Sequence, residues 1–106
     1  MASTYGKRAA PPFESENSKD FRKDWDRLSK SGRYDMGRLK ETMLLIIANN
    51  GPLPAEYKDH ELSGNYMDNR ECHVGGDFLL IYRVVMVNKL WGGVFFVRAG
   101  THADLF

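Results

Sequence analysis

Cysteine is nearly absent from this 106-residue chain. The one present, Cys72, can form no disulfide within the chain, which excludes a cross-linked secreted scaffold and fits a reducing compartment. Proline is scarce as well, and two of the four prolines sit together as Pro11-Pro12. No apolar run approaches the roughly 18 residues that argue for a membrane span. The start, Met1-Ala2-Ser3-Thr4-Tyr5-Gly6-Lys7-Arg8, has no apolar stretch of signal-peptide length. The chain is therefore expected to be soluble and cytoplasmic. Missing too are the G-x-S-x-G elbow, the phosphate-binding P-loop, C-x-x-C and H-E-x-x-H, so neither the common hydrolase nor the common zinc patterns apply.

The remaining composition is ordinary for one globular domain, with 42% hydrophobic and 27% charged residues. Net charge is only +1, but Lys and Arg exceed Asp and Glu by ten to six over residues 1–40 and fall behind by five to eight over residues 41–106. A basic half can steer toward phosphates, though solvated helix faces account for it equally well. Residues 1–17, with Pro11-Pro12 inside them, read as a flexible or edge-strand arm, in which Phe13-Glu14-Ser15 forms a brief strand. The domain proper is residues 18–106.

Asn17 or Ser18 caps a first helix. Its apolar stripe is Phe21, Trp25 and Leu28, and Ser31-Gly32 stops it. Asp35 caps a second helix with Met36, Leu39, Met43, Ile46 and Ile47 at helical spacing. Leu44, Leu45 and Ala48 widen that face, so its end is expected to be buried nearly all round. Asn49-Asn50-Gly51-Pro52 closes it. Residues 52–67 look like a long irregular connection. Arg70–Val74 is a short strand, Gly75-Gly76 a tight turn, and Phe78–Val85 a strong central strand. After a turn over residues 88–93, Val94–Arg98 returns antiparallel. The fold class is α+β: an N-terminal helical hairpin packed on a small twisted antiparallel sheet.

All three histidines, His60, His73 and His102, lie in the second half, with Asp77 and two aromatics, Phe78 and Phe106, close by in sequence. Imidazole works as acid or base near neutral pH. Two or three histidines with a carboxylate are chemically sufficient for RNA cleavage, which needs a base for the 2′-hydroxyl, an acid for the leaving 5′-oxygen, and positive charge on the phosphate. Surface histidines are more often idle, so the residues alone carry this weakly. His60, Cys72, His73, Asp77 and His102 are also possible zinc or copper ligands, but without metal-site spacing. Cys72 is most simply a small core residue.

Tyr57-Lys58-Asp59-His60-Glu61-Leu62-Ser63-Gly64, Arg70-Glu71-Cys72-His73, Asp77-Phe78-Leu79-Leu80-Ile81-Tyr82 and Arg98-Ala99-Gly100-Thr101-His102-Ala103-Asp104-Leu105-Phe106 follow in order. Together they closely resemble the YafQ branch of the RelE/ParE-type toxins. The resemblance implies a ribosome-dependent messenger-RNA endonuclease from a bacterial type II toxin–antitoxin pair. It also implies a RelE-like fold, a cognate antitoxin as partner in a hetero-oligomer, no membrane contact, and cleavage without metal or cofactor. Carried over by motif, His60, His73, Asp77 and His102 are the acid–base set, with His102 as general acid and the others sharing the base and orienting work. Phe106 and Phe78 are implied to hold the base, and Arg70, Arg83 and Arg98 to contact phosphate. The alternative is a catalytically idle module of the same fold that docks on an antitoxin or the ribosome; a ParE-type gyrase inhibitor fits the histidine set less well.

Three departures from that pattern stand out. Phe78 replaces the usual tryptophan, the segment from Val84 to Gly93 is several residues longer than usual, and so is the proline-bearing start. The turn poses a geometric demand as well. A strict two-residue Gly75-Gly76 turn would aim His73 and Asp77 to opposite faces, so their cooperation requires a wider loop or a bulge.

Overall fold

Helix caps and a turn glycine set the frame of the computed structural model, which describes residues 11–88 and 91–106. The part of the expected arm at residues 1–10 lies outside the described residues. Strand β1 (Glu14–Asn17) leads into helix α1 (Lys19–Ser31). Ser18 is the cap: its hydroxyl accepts from the Phe21 N–H at 2.9 Å and donates to the Val97 carbonyl at 2.7 Å, stitching the helix start to the sheet. Gly32, at φ +69°, supplies the left-handed residue that ends α1. Asp35 caps α2 (Met36–Ala48), accepting from the Arg38 N–H at 2.9 Å.

The second half provides β2 (His60–Glu61), β3 (Arg70–Gly75), β4 (Phe78–Asn88), β5 (Trp91–Gly100) and a one-turn helix α3 (His102–Leu105). Sheet order is β1-β5-β4-β3-β2. Four strands pair antiparallel, whereas β1 runs parallel to β5. The sheet is therefore mixed rather than purely antiparallel. Parallel neighbours need a long crossover, and the whole helical hairpin with β2–β4 intervenes between these two.

Alternation along β4 divides the core. Phe78, Leu80 and Tyr82 point to the helices, where Phe21, Leu28, Leu39, Ile46 and Phe96 meet them. Leu79 and Ile81 point the other way and are wholly buried under Leu105. The end of α2 departs from expectation: Leu44 and Leu45 are 55% and 42% exposed, because the helices form one layer and the sheet covers only one side of it. Strands β4 and β5 are also longer than their apolar runs implied, extending the ladder into the expected turn at residues 88–93. The irregular stretch 52–67 contains β2 and two 3₁₀ turns, Ala55–Tyr57 and Gly64–Tyr66.

The β3–β4 turn is Gly76-Asp77, not Gly75-Gly76. Gly75 pairs with Phe78, and Gly76 adopts φ +55°. The next pair is His73 with Leu79, so Val74 is an extra residue in β3, the bulge that the site geometry demands.

Asp24 is the buried polar anchor, at 3% exposure. It accepts from Arg98 Nε at 2.7 Å, the Ala99 N–H at 3.0 Å and Arg27 Nη2 at 3.2 Å, joining α1 to the end of β5. Burial by itself would raise its pKa, but these donors outweigh it and hold the carboxyl below the usual carboxylate range. A depressed folded-state pKa contributes stability that is present above the unfolded value and lost as pH falls through the folded one. Asp24→Asn should therefore flatten the loss of thermal stability that the native protein shows on acidification below about pH 4. Asp24→Ala should cost about 3 kcal/mol in denaturant unfolding, since it strands a partly buried guanidinium.

Candidate active site

Burial on the face away from the helices builds the platform for the site. Leu105 is 7% exposed and plugs the ground above Leu79 and Ile81, with Leu62, Tyr66 and Val97 around it. Helix α3 can turn so tightly because Thr101 and Asp104 form a reciprocal capping box. Tyr66 donates its hydroxyl to the Leu105 carbonyl at 3.3 Å. The consequence is that the next residue, Phe106, is held at the surface, 61% exposed. Its ring lies 5.4 Å from that of Tyr66 and 5.5 Å from that of His102.

The three histidines converge on this face. The bulge at Val74 keeps His73 beside Leu79, and β2 pairs His60 across from Glu71. Glu71 is 3% exposed, and its Oε1 stands 3.5 Å from His60 Nε2 and 3.8 Å from His73 Nε2. One buried carboxylate thus bridges two imidazoles. The His73 ring is 6.5 Å from the His102 ring. His102 in turn places Nδ1 2.7 Å from Asp77 Oδ1, which also accepts from the His102 backbone N–H at 3.2 Å. These bonds from His102 hold the Asp77 carboxyl below its usual range, so it is ionised throughout the neutral region.

Tautomer assignment follows from the acceptors. His60 Nδ1 faces the Lys58 carbonyl at 2.8 Å and His73 Nδ1 faces the Gly76 carbonyl at 3.1 Å. A carbonyl only accepts, so each Nδ1 carries the hydrogen. With His102 Nδ1 on Asp77, all three rings are oriented through Nδ1, and the Nε2 atoms of His60 and His73 turn toward the Glu71 carboxylate. Such an array suits proton transfer to and from a bound substrate.

His60, His73, Asp77, His102 and Phe106 therefore meet, and other expected residues do not. Phe78 is buried on the helix side, its ring 5.0 Å from that of Tyr34. Arg70 pairs across from Tyr82 on that same side and bonds Asp59 at 2.8 Å. Arg98 is committed to Asp24. Arg83 shares the face of Leu79 and Ile81 and is exposed, four residues or about 13 Å along β4 from the Leu79 row. Among the described residues, no three of His, Cys, Asp or Glu are grouped to hold a metal ion. Cys72 is buried in the helix-side core, and burial pushes its thiol up to about 12.

A family of bacterial toxins of type II toxin–antitoxin systems, YafQ, matches residues 13–106. The Escherichia coli K12 protein described as mRNA interferase toxin YafQ is 44% identical over 94 residues, covering 89% of this chain and 91% of its own length. The chain belongs to the YafQ toxin family. Its fold is also that of the E. coli DinJ–YafQ toxin–antitoxin complex, at 42% identity and TM-score 0.73, covering 90% of this chain and 98% of that one. A metal-bound toxin from Helicobacter pylori matches at 38% identity and TM-score 0.71, covering 89% and 99%.

Two further residues stand beside this site. Glu71 stands two residues from His73 on β3, and strand alternation puts both on one face. Arg33 lines a cleft of about 330 Å³ with Arg38, Asp77 and Thr101, placing an exposed guanidinium near the His102–Asp77 pair. Its position depends on how the interhelical loop meets the β3–β4 turn, for which no local pattern exists. Glu71→Gln keeps the volume and removes the charge. It should leave the melting temperature nearly unchanged while lowering RNA cleavage about 10- to 100-fold; a rate at the wild-type level would assign Glu71 to packing alone.

Proposed function

We propose that this protein is the toxin of a type II toxin–antitoxin pair and an endoribonuclease that cuts messenger RNA on the ribosome. Its reaction is acid–base phosphoryl transfer by histidine and aspartate without a metal, and a cognate antitoxin restrains it in a hetero-oligomer. The observation that carries the reading is the convergence of three imidazoles with Glu71 and Asp77 on one sheet face, each ring oriented through Nδ1. Family membership and the mRNA interferase of E. coli at 44% identity support the substrate, and the DinJ–YafQ complex supports the partner. No helix among the described residues is long and apolar enough to cross a membrane; a toxin acting on ribosomes works in the cytoplasm.

In this mechanism His60 and His73 share the removal of the 2′-hydroxyl proton. The 2′-oxygen attacks phosphorus, the P–O5′ bond breaks, and the departing 5′-oxygen takes a proton from His102. A cyclic 2′,3′-phosphate results. Glu71 stabilises the imidazolium formed by the base, and ionised Asp77 stabilises the imidazolium that serves as acid. Phe106, backed by Tyr66, offers a ring for base stacking. Arg33 and Arg83 supply positive charge; Arg70 and Arg98, which carry ion pairs within the fold, contribute mainly to its integrity.

His102→Ala should lower cleavage of ribosome-bound message about 10²–10⁴-fold while melting near the native temperature, because the side chain is exposed. Undiminished cleavage would remove His102 from the acid role, whereas absence of cleavage by the native protein would leave the idle docking module as the better reading. Deleting residues 102–106 is a poorer test, since it also removes buried Leu105. Cleavage should persist with a chelator that removes zinc and copper but leaves the ribosome's magnesium; loss that zinc restores would overturn the metal-free chemistry.

A further inference from the structure

On the same sheet face as the histidines, at its far end, β1 and the β4–β5 hairpin enclose a second cleft. It has a volume of about 360 Å³, and its lining includes Glu14, Glu16, Val85, Trp91, Gly93 and Phe95. The parallel register explains its shape. Glu14 pairs with Gly93 and Glu16 with Phe95, so both carboxylates stand beside the strand that carries both rings. Trp91 and Phe95 are four residues apart on β5 with Gly93 between them, which leaves a gap about 13 Å wide between their Cα positions. A Cβ at Gly93 would come within 3.3 Å of the Glu14 carbonyl, so glycine keeps the floor open. Glu14 Oε2 accepts from the Trp91 Nε1–H at 2.6 Å and steadies one wall. Trp91 and Phe95 nevertheless remain 46% and 40% exposed, large rings left without cover.

We infer that this cleft receives an arginine or lysine side chain from an extended segment of the cognate antitoxin. This rests on the toxin–antitoxin reading above. Aromatic faces with carboxylates at the rim are the environment a cation prefers. Among the described residues, Glu14 and Glu16 are the only ionisable groups of the lining, and both are negative. Arg83 pairs in register with Phe95 but lies outside the cleft lining. A phosphate backbone would meet two carboxylates here, so RNA is disfavoured by charge. The cleft also draws Val85, Trp91 and Gly93 from the 84–93 segment, which is longer than the family pattern that the sequence resembles. A surface of that kind suits recognition of one cognate partner rather than a property common to the family. Val85, at the cleft floor, is six residues or about 20 Å along β4 from the Leu79–His73 row. An antitoxin segment of about six or seven extended residues, anchored by its basic side chain, would reach the histidines and cover them.

The test titrates the full-length toxin with the full-length antitoxin encoded by the adjacent reading frame. Glu16→Lys should weaken binding at least about tenfold and Phe95→Ala by several-fold, with ribosome-dependent cleavage unchanged. Replacing one basic antitoxin residue with glutamate should restore binding to the Glu16→Lys toxin. Unchanged affinity in both toxin variants, verified as folded by their melts, would overturn the inference. So would a loss of binding to a single-stranded oligoribonucleotide with antitoxin affinity intact. If the native toxin bound no antitoxin at all, the toxin–antitoxin reading would itself fail, an outcome distinct from loss in the variants alone.

Discussion

Burial of Leu79 and Ile81 on the sheet face away from the helices is the constraint on which the site depends. A small α+β domain can leave that face wet. Here two wholly buried aliphatic side chains require a cover, and Leu105 with Tyr66 provides it. The cover brings the last turn of the chain back over β4, and His102 and Phe106 ride on it. The functional groups at the terminus are thus held by apolar packing one residue away, so a very exposed ring and imidazole can still keep a defined position.

Charge is arranged with the same economy. Two carboxylates serve three histidines: Glu71, almost fully buried, faces two of them, and exposed Asp77 holds the third. Backbone carbonyls of Lys58 and Gly76 orient the other two rings. Asp77 and the two carbonyls belong to turns and Glu71 to the interior strand β3, and a one-residue slip of β3 would send His73 and Glu71 into the helix-side core. The bulge at Val74 therefore does for the site what a loop insertion would do elsewhere, re-aiming one side chain without lengthening the hairpin. At the opposite corner, the buried Asp24 binds α1 to the strand that leads into the terminal turn, so helix packing and site geometry share one anchor.

Local pattern carried much of this. Ser18 and Asp35 as caps, Phe21 and Leu28 as a buried stripe, and the apolar run from Phe78 could be read directly, because capping and periodicity are properties of short segments. The histidines, Asp77 and Phe106 were legible through ordered motifs rather than through geometry. What local pattern missed was set by neighbours distant in sequence. Leu44 and Leu45 look like core, yet no layer among the described residues covers them. Glu71 looks like an ordinary strand glutamate until β2 places His60 opposite it. Arg70, Arg98 and Phe78 look available for substrate, and their partners Asp59, Asp24 and Tyr34 come from other elements.

By itself, then, the sequence determined the elements, the helix-side core and the chemical types present, since these follow from spacing within a dozen residues. Only the tertiary structure decided which polar groups were free to act. Strand register, the Val74 bulge and the parallel docking of β1 each turn on a single pairing, and a pairing between strands is an energy shared by residues that the chain separates by up to 80 positions.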